Sequence, residues 1–344
     1  MTTLTEAGRE LVAAARALGP SPIAIAQRAW VVPTMFHAQE RAFASDVDPT
    51  PTLVEAIRAC AARLATAAAL VADASQWKLD EIPAVAGDVE QVTGHHYGNL
   101  FSGFSPAHYW DEPTALLKAR LDRNGVSIAP GQTVIDAGCG GGRYTVAWKK
   151  LGASHVVGVD VSPLNISVAR ARIVEANIDD VEYREGNVLA LEAADASFDV
   201  VFSNGVLHHT IDWQKGISEL VRVLKPGGLG WLYLIEEPGG LFWEMIDVLR
   251  SVMERDSHDV ARRALQLVGL PQNRVFYMLD HVMAPINVRL RPDQIEDALR
   301  SSGASNVRRL ERGADFDRVE QIHRQANHAT VKFGVGENRY VFSR

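Results

Sequence analysis

Cysteine is nearly absent: Cys60 and Cys139 are the only two among 344 residues. That excludes a disulfide framework and a four-thiolate zinc site, and makes a reducing cytoplasm the expected compartment. Basic charge is also short. Lys and Arg total 35 against 42 Asp and Glu, a formal net charge of −7, which is not the footprint of a nucleic-acid binder. No 18-residue stretch is both apolar and uncharged, so no membrane span is expected. The opening Met1-Thr2-Thr3-Leu4-Thr5-Glu6 has neither a basic n-region nor an apolar h-region, so a secretory signal is not expected there. What is present is an ordinary share of hydrophobic residues, 47%, enough for a real core.

Composition changes along the chain. Residues 1–94 hold 23 alanines and 4 glycines, whereas residues 131–142 alone hold 5 glycines. The first stretch reads as helices over Leu4–Leu18, Ile23–Ser45 and Leu53–Ala74. Pro20, Pro22, Pro49 and Pro51 punctuate them, and alanine has the best helix propensity. We expect an Ala-rich helical domain at 1–94, serving in packing, as a homodimer contact or as a substrate lid. An aromatic cluster follows, with His95, His96, Tyr97, Phe101, Phe104, His108, Tyr109 and Trp110 broken by Gly98, Gly103 and Pro106. It fits either packing between domains or a wall over a planar ligand.

From Pro113 onward helix and strand alternate. Ala115–Arg123 is helical and Thr133–Asp136 is a short buried strand. A glycine loop and a helix to Leu151 come next. Strands at Val156–Asp160, Val181–Glu185, Phe198–Ser203 and Leu229–Glu236 are separated by helices at Pro163–Ala176 and Trp213–Leu224. Lys225-Pro226-Gly227-Gly228 reads as a helix stop. The alternation predicts a doubly wound, Rossmann-like, mostly parallel sheet covered on both faces. A helical insertion, Phe242–Glu254 and His258–Leu267, interrupts it at about 241–285. A helix from Arg291 to Ser302, a strand at Asn306–Leu310 and a closing edge strand at Asn338–Phe342 complete a domain spanning 95–344.

The loop Asp136-Ala137-Gly138-Cys139-Gly140-Gly141-Gly142-Arg143 leaves the first strand at the crevice where open α/β sheets bind ligands. A dinucleotide fingerprint starting at Gly138 would need a small residue where Arg143 stands, and no Walker-type phosphate loop is present. Asp160 ends the second strand. It can accept the hydroxyls of a ribose, or it can serve as a turn residue before Ser162-Pro163. His208 and His209, after the fourth strand, are candidates for taking a proton. Glu236 and Glu237, ending the fifth strand, are the rival pair. No metal-binding spacing is present.

In these motifs the chain resembles the class I S-adenosylmethionine-dependent methyltransferases. The resemblance is carried by Val134–Gly142, Gly158-Val159-Asp160, Glu185-Gly186-Asn187-Val188, Ser197–Val201, Gly205–His209 and Arg222–Gly228, in order over about residues 115–237. It implies the seven-stranded fold of that family and S-adenosyl-L-methionine as cofactor. Asp136, Gly138 and Gly140 would hold the methionine end and Asp160 the ribose. Asn187 and the Val188 backbone would meet the adenine edge, and Asn204 would stand where cofactor meets substrate; Tyr97, from the aromatic cluster read as a wall over a planar ligand, is the further cofactor-binding candidate. The expected activity is methyl transfer to a small molecule, on O, N or C. The alternatives are methylation of a peptide or protein side chain, or a non-catalytic cofactor-binding partner.

Overall fold

The computed structural model describes residues 3–73, 105 and 107–344. Contacts within the chain divide it into two units. One comprises residues 87–238, 285–325 and 335–344, and the other comprises residues 1–86, 239–284 and 326–334.

The first unit is built on seven strands: β1 Thr133–Ala137, β2 His155–Asp160, β3 Val181–Glu185, β4 Phe198–Asn204, β5 Leu224–Leu234, β6 Ser305–Arg309 and β7 Asn338–Ser343. Their order is β3-β2-β1-β4-β5-β7-β6. Strands β3 through β5 pair in parallel, and β7 runs antiparallel to both β5 and β6. Alternate residues along each strand point to opposite faces. Ile135, Val157, Val201 and Leu232 therefore pack with Ile217, Leu220, Ile295 and Leu299 of the helices Trp213–Val223 and Pro292–Ser301. Val134, Val156, Val200 and Trp231 pack on the other face with Leu117, Leu121 and Trp148 of the helices Glu112–Arg123 and Arg143–Lys150. Burial of each large apolar side chain contributes about 1.5–3 kcal/mol. This is the expected doubly wound, mostly parallel sheet.

Two local expectations are corrected. Lys225–Gly228 does not separate helix from strand; it is the bulged beginning of β5, whose register with β4 shifts between Phe198 and Val200. Gly227 supplies the left-handed residue of that bulge at φ 75°. The last strand is not an edge. It lies between β5 and β6, and Tyr340 and Phe342 fill one core while Val341 fills the other. A run apolar on both faces belongs inside a sheet. The helix Gln272–Met283 and the short helices Arg318–His323 and Ala329–Phe333 were not anticipated from the pattern.

The second unit is helical: Thr3–Ala17, Pro22–Ala44, Thr50–Asp73, Gly240–Met253, His258–Leu267, Gln272–Met283 and Ala329–Phe333. Ser21 caps the second helix by accepting from the Ala24 N–H at 3.2 Å, with Pro22 at its first turn. Gly8 lets the first helix approach Val248 closely, where a Cβ would meet the valine at 2.7 Å. The buried Arg28 guanidinium forks onto Asp256 at 2.7 and 2.5 Å and also donates to the Ala15 and Gly19 carbonyls. Among the described residues no helix is long and apolar enough to cross a membrane.

Candidate functional site

The carboxyl ends of β1, β2 and β4 and the loop after β1 form the crevice. Gly138 turns at φ 86°, and its N–H and that of Cys139 donate to the Val159 carbonyl at 2.8 and 2.9 Å, folding the loop over β2. A side chain at Gly138 would collide with Val206. The Tyr109 hydroxyl donates to the Gly141 carbonyl and the Tyr183 hydroxyl to that of Gly142, so two phenols brace the loop from below. Burial raises both phenol pKa values, which keeps them protonated donors. Neither role is legible in the sequence, where Tyr109 stands only as one of an aromatic cluster. Arg143 opens the next helix and donates to the His108 carbonyl at 2.6 Å.

The two acids expected at the site stand behind this loop. Asp136 is buried and accepts from the Thr145 hydroxyl at 2.6 Å, and burial pushes its pKa up to about 7. Asp160 accepts from the Gly140 N–H at 2.8 Å, the Ser162 N–H at 3.0 Å and Asn165 Nδ2 at 2.9 Å, with its pKa also raised by burial. A carboxylate offers about four acceptor positions. Three of them hold the glycine loop and the following helix in place. Asn165 Oδ1, beside it, is buried with no hydrogen-bond partner. Carboxylates, an amide and a glycine loop are a donor set that suits an adenosyl group with an amino-acid tail. Thr145 and Asn165 were missed in the sequence, although both are polar residues in the first turn of a helix leaving a motif strand.

Asn187 uses its side-chain oxygen to accept from the Leu189 N–H at 2.8 Å, closing a turn that holds Val188 against the core. Tyr97 lies outside the described residues, as do His95, His96, Phe101 and Phe104. Asn204 ends β4 half-buried, and its Oδ1 accepts from Trp231 Nε1 and Arg339 Nη1, both at 3.3 Å.

The proton-handling candidates separate by geometry. His208 is buried, and its Nδ1 accepts from the Ile235 N–H at 3.3 Å, which places the ring proton on Nε2. His209 contacts the Ile286 carbonyl through Nδ1 at 2.6 Å. A carbonyl only accepts, so this nitrogen carries the proton and Nε2 is the basic one. Glu236 is fully buried and pairs with Arg318 at 2.5 Å, whereas Glu237 is exposed and its backbone N–H bonds to the Leu290 carbonyl. Among the described residues no three His, Cys, Asp or Glu side chains cluster to hold a metal.

Residues 135–232 match a family model described as a methyltransferase domain. The chain is 32% identical over 172 residues to a ubiquinone biosynthesis O-methyltransferase of Paracidovorax citrulli, covering 49% of this chain and 70% of that protein. It is 34% identical over 168 residues to the 27-O-demethylrifamycin SV methyltransferase of Amycolatopsis mediterranei, covering 46% and 59%. Among solved structures, a phosphoethanolamine N-methyltransferase 2 of Haemonchus contortus in complex with S-adenosyl-L-methionine aligns at 21% identity. Its TM-score is 0.47, with 76% of this chain and 60% of that one covered.

Proposed function

The chain belongs to the class I S-adenosylmethionine-dependent methyltransferases, and from that premise we propose that it methylates a small molecule. S-adenosylmethionine is its cofactor and supplies an activated methyl group on a sulfonium. The protein's task is alignment and, where needed, removal of a proton from the acceptor. In our reading Asp160 takes the ribose with its remaining acceptor position. Asp136 faces the amino-acid end behind Gly138 and Gly140, and the Asn187 turn meets the adenine edge.

His209 is the base we favour among the four candidates. The Ile286 carbonyl fixes its tautomer with Nε2 basic. Proton uptake at Glu236 would instead leave the Arg318 charge uncompensated. His208 then orients the carboxyl edge of β5 by accepting from Ile235.

The small-molecule reading is supported chiefly by the names of the relatives, which specify ubiquinone biosynthesis and a demethylrifamycin. The net charge of −7 weighs against a nucleic-acid acceptor. The test is to incubate the protein with methyl-tritiated cofactor and a whole-cell extract, then to separate label by size. Label in the low-mass fraction is expected; label retained on protein would make the acceptor a side chain.

A further inference from the structure

We infer that Arg339 and Trp231 lock the Asn204 amide with its nitrogen toward the crevice, so that the methyl acceptor is an oxygen nucleophile. This rests on the methyl-transfer reading and names the class of its substrate. Asn204 pairs in register with Tyr233 of β5, and Tyr233 with Arg339 of β7. The three therefore form one row, on one face, at the carboxyl edge of the sheet.

Trp231 Nε1 and Arg339 Nη1 each donate to Asn204 Oδ1 at 3.3 Å. An indole and a guanidinium are donors only. Turning the amide over would set its N–H groups against both and lose two bonds, so these two donors decide its orientation. Both donors are themselves anchored. Trp231 is fully buried. Arg339 is 3% exposed, donates to Glu337 Oε1 at 3.0 Å, lies 3.7 Å from Asp317 Oδ1, and sits over the Tyr233 ring at 4.4 Å. With Oδ1 held by both donors, the other arm of the Asn204 amide is Nδ2, which offers hydrogens only.

An oxygen nucleophile suits that donor. One lone pair forms the new C–O bond as the C–S bond breaks and its electron pair stays on sulfur. A second lone pair accepts the Asn204 N–H, and the hydroxyl proton, where the acceptor is not already ionised, passes to His209 Nε2. An amine has a single lone pair, which must face the methyl carbon, and its own N–H groups would meet another donor. Arg339 is a positioning residue in this scheme, since it acts through Asn204.

Three measurements on the full chain test the inference. In ¹⁵N-labelled protein the Trp231 indole resonance should move upfield in Asn204→Leu, which removes its acceptor, and not upfield in Asn204→Asp, whose carboxylate still accepts; an unmoved signal in Asn204→Leu overturns the locked orientation. Calorimetry should find S-adenosylhomocysteine affinity within about threefold of the parent in Asn204→Asp. A loss of tenfold or more would assign the amide to the cofactor's own carboxylate instead. Labelled cofactor is then offered with catechol, 4-hydroxybenzoate, aniline and benzylamine. Product on an oxygen probe is expected, with kcat/KM about tenfold or more lower in Asn204→Asp and a smaller loss, carried by kcat, in Arg339→Lys. Product on an amine, or no loss in Asn204→Asp, overturns the assignment. If the parent protein binds no S-adenosylhomocysteine, it is the methyl-transfer reading that fails.

Discussion

Each unit of this molecule is tied by one deeply buried, two-pronged Arg–Asp pair between segments far apart in sequence. In the sheet unit Arg120 binds Asp317 at 2.7 and 2.8 Å; in the helical unit Arg28 binds Asp256 at 2.7 and 2.5 Å. The device is the same and the surroundings differ. Asp317 also lies near the second guanidinium of Arg339, within a network that reaches Asn204 at the crevice. Arg28 instead finishes on two backbone carbonyls, at the end of one helix and in the turn beyond it. The comparison teaches that one buried pair runs on through Arg339 to a candidate site residue, while the other ends on the backbone of its own helical unit.

The largest effect should come from breaking these pairs. Removing one partner of a buried ion pair costs about 3–5 kcal/mol, because the other charge is left without compensation. Asp256→Ala and Asp317→Ala should each lower stability by about that amount in urea titrations. A loss below 1 kcal/mol in either would make that pair equivalent to a surface contact and end the parallel. Asp317→Ala should in addition slow methyl transfer, since Arg339 loses a neighbour; Asp256→Ala should leave the transfer rate unchanged at temperatures where it is folded.

The two units were also unequally legible in the sequence. The sheet unit announces itself through short contiguous words, such as Asp136–Gly142 and Gly158–Asp160, because a strand, its loop and the first turn of its helix are adjacent in the chain. Errors arose where long-range pairing decides. Lys225–Gly228 has the composition of a stop signal, yet pairing with Phe198 draws it into β5. Asn338–Ser343 is apolar on both faces, as an inner strand is, yet which strand pairs on its outer side is decided by the separate segment Ser305–Arg309. Arg339 could not be picked out from 35 basic residues, because its partners Asn204, Asp317 and Glu337 are mostly remote in the chain. In the helical unit the three long N-terminal helices were legible from alanine content and proline spacing. That residues 239–284 and 326–334 join them was not, since no local pattern encodes which distant helices will meet.

A substitution at His209 sharpens the functional side of the comparison. A positioned base contributes about 10²–10⁴-fold, so His209→Ala should lower single-turnover transfer to an alcohol by at least about 10²-fold while S-adenosylhomocysteine still binds. Unchanged turnover in His209→Ala, with loss in Glu237→Gln, would move the base to the end of β5. Asp160→Ala is expected to act on binding instead. Losing a charge-assisted hydrogen bond should weaken S-adenosylhomocysteine by about 1.5–3 kcal/mol in calorimetry. An unaltered affinity in a folded variant would remove Asp160 from the ribose position.

The smallest expected effect on ligand binding is a pH dependence through Asp136, and it runs opposite to the pH dependence of stability. Burial raises this carboxyl to about 7 in the folded protein, against 3.8 for its ordinary value. Between those values the folded chain holds a proton that the unfolded chain has released. Stability of the ligand-free protein therefore declines as pH rises from about 4 through 7, and levels off above. If ionised Asp136 meets the cationic amino group of the cofactor, binding needs the deprotonated form. Affinity for S-adenosylhomocysteine should then rise as pH increases from 6 to 8, by roughly tenfold if this group alone titrates. Asp136→Asn keeps the size of the side chain and removes the ionisation, so both slopes should flatten together. Calorimetry across pH 6–8 on the two proteins gives the answer. If the slope of binding persists in Asp136→Asn, another group is responsible and Asp136 supports the Thr145 contact alone.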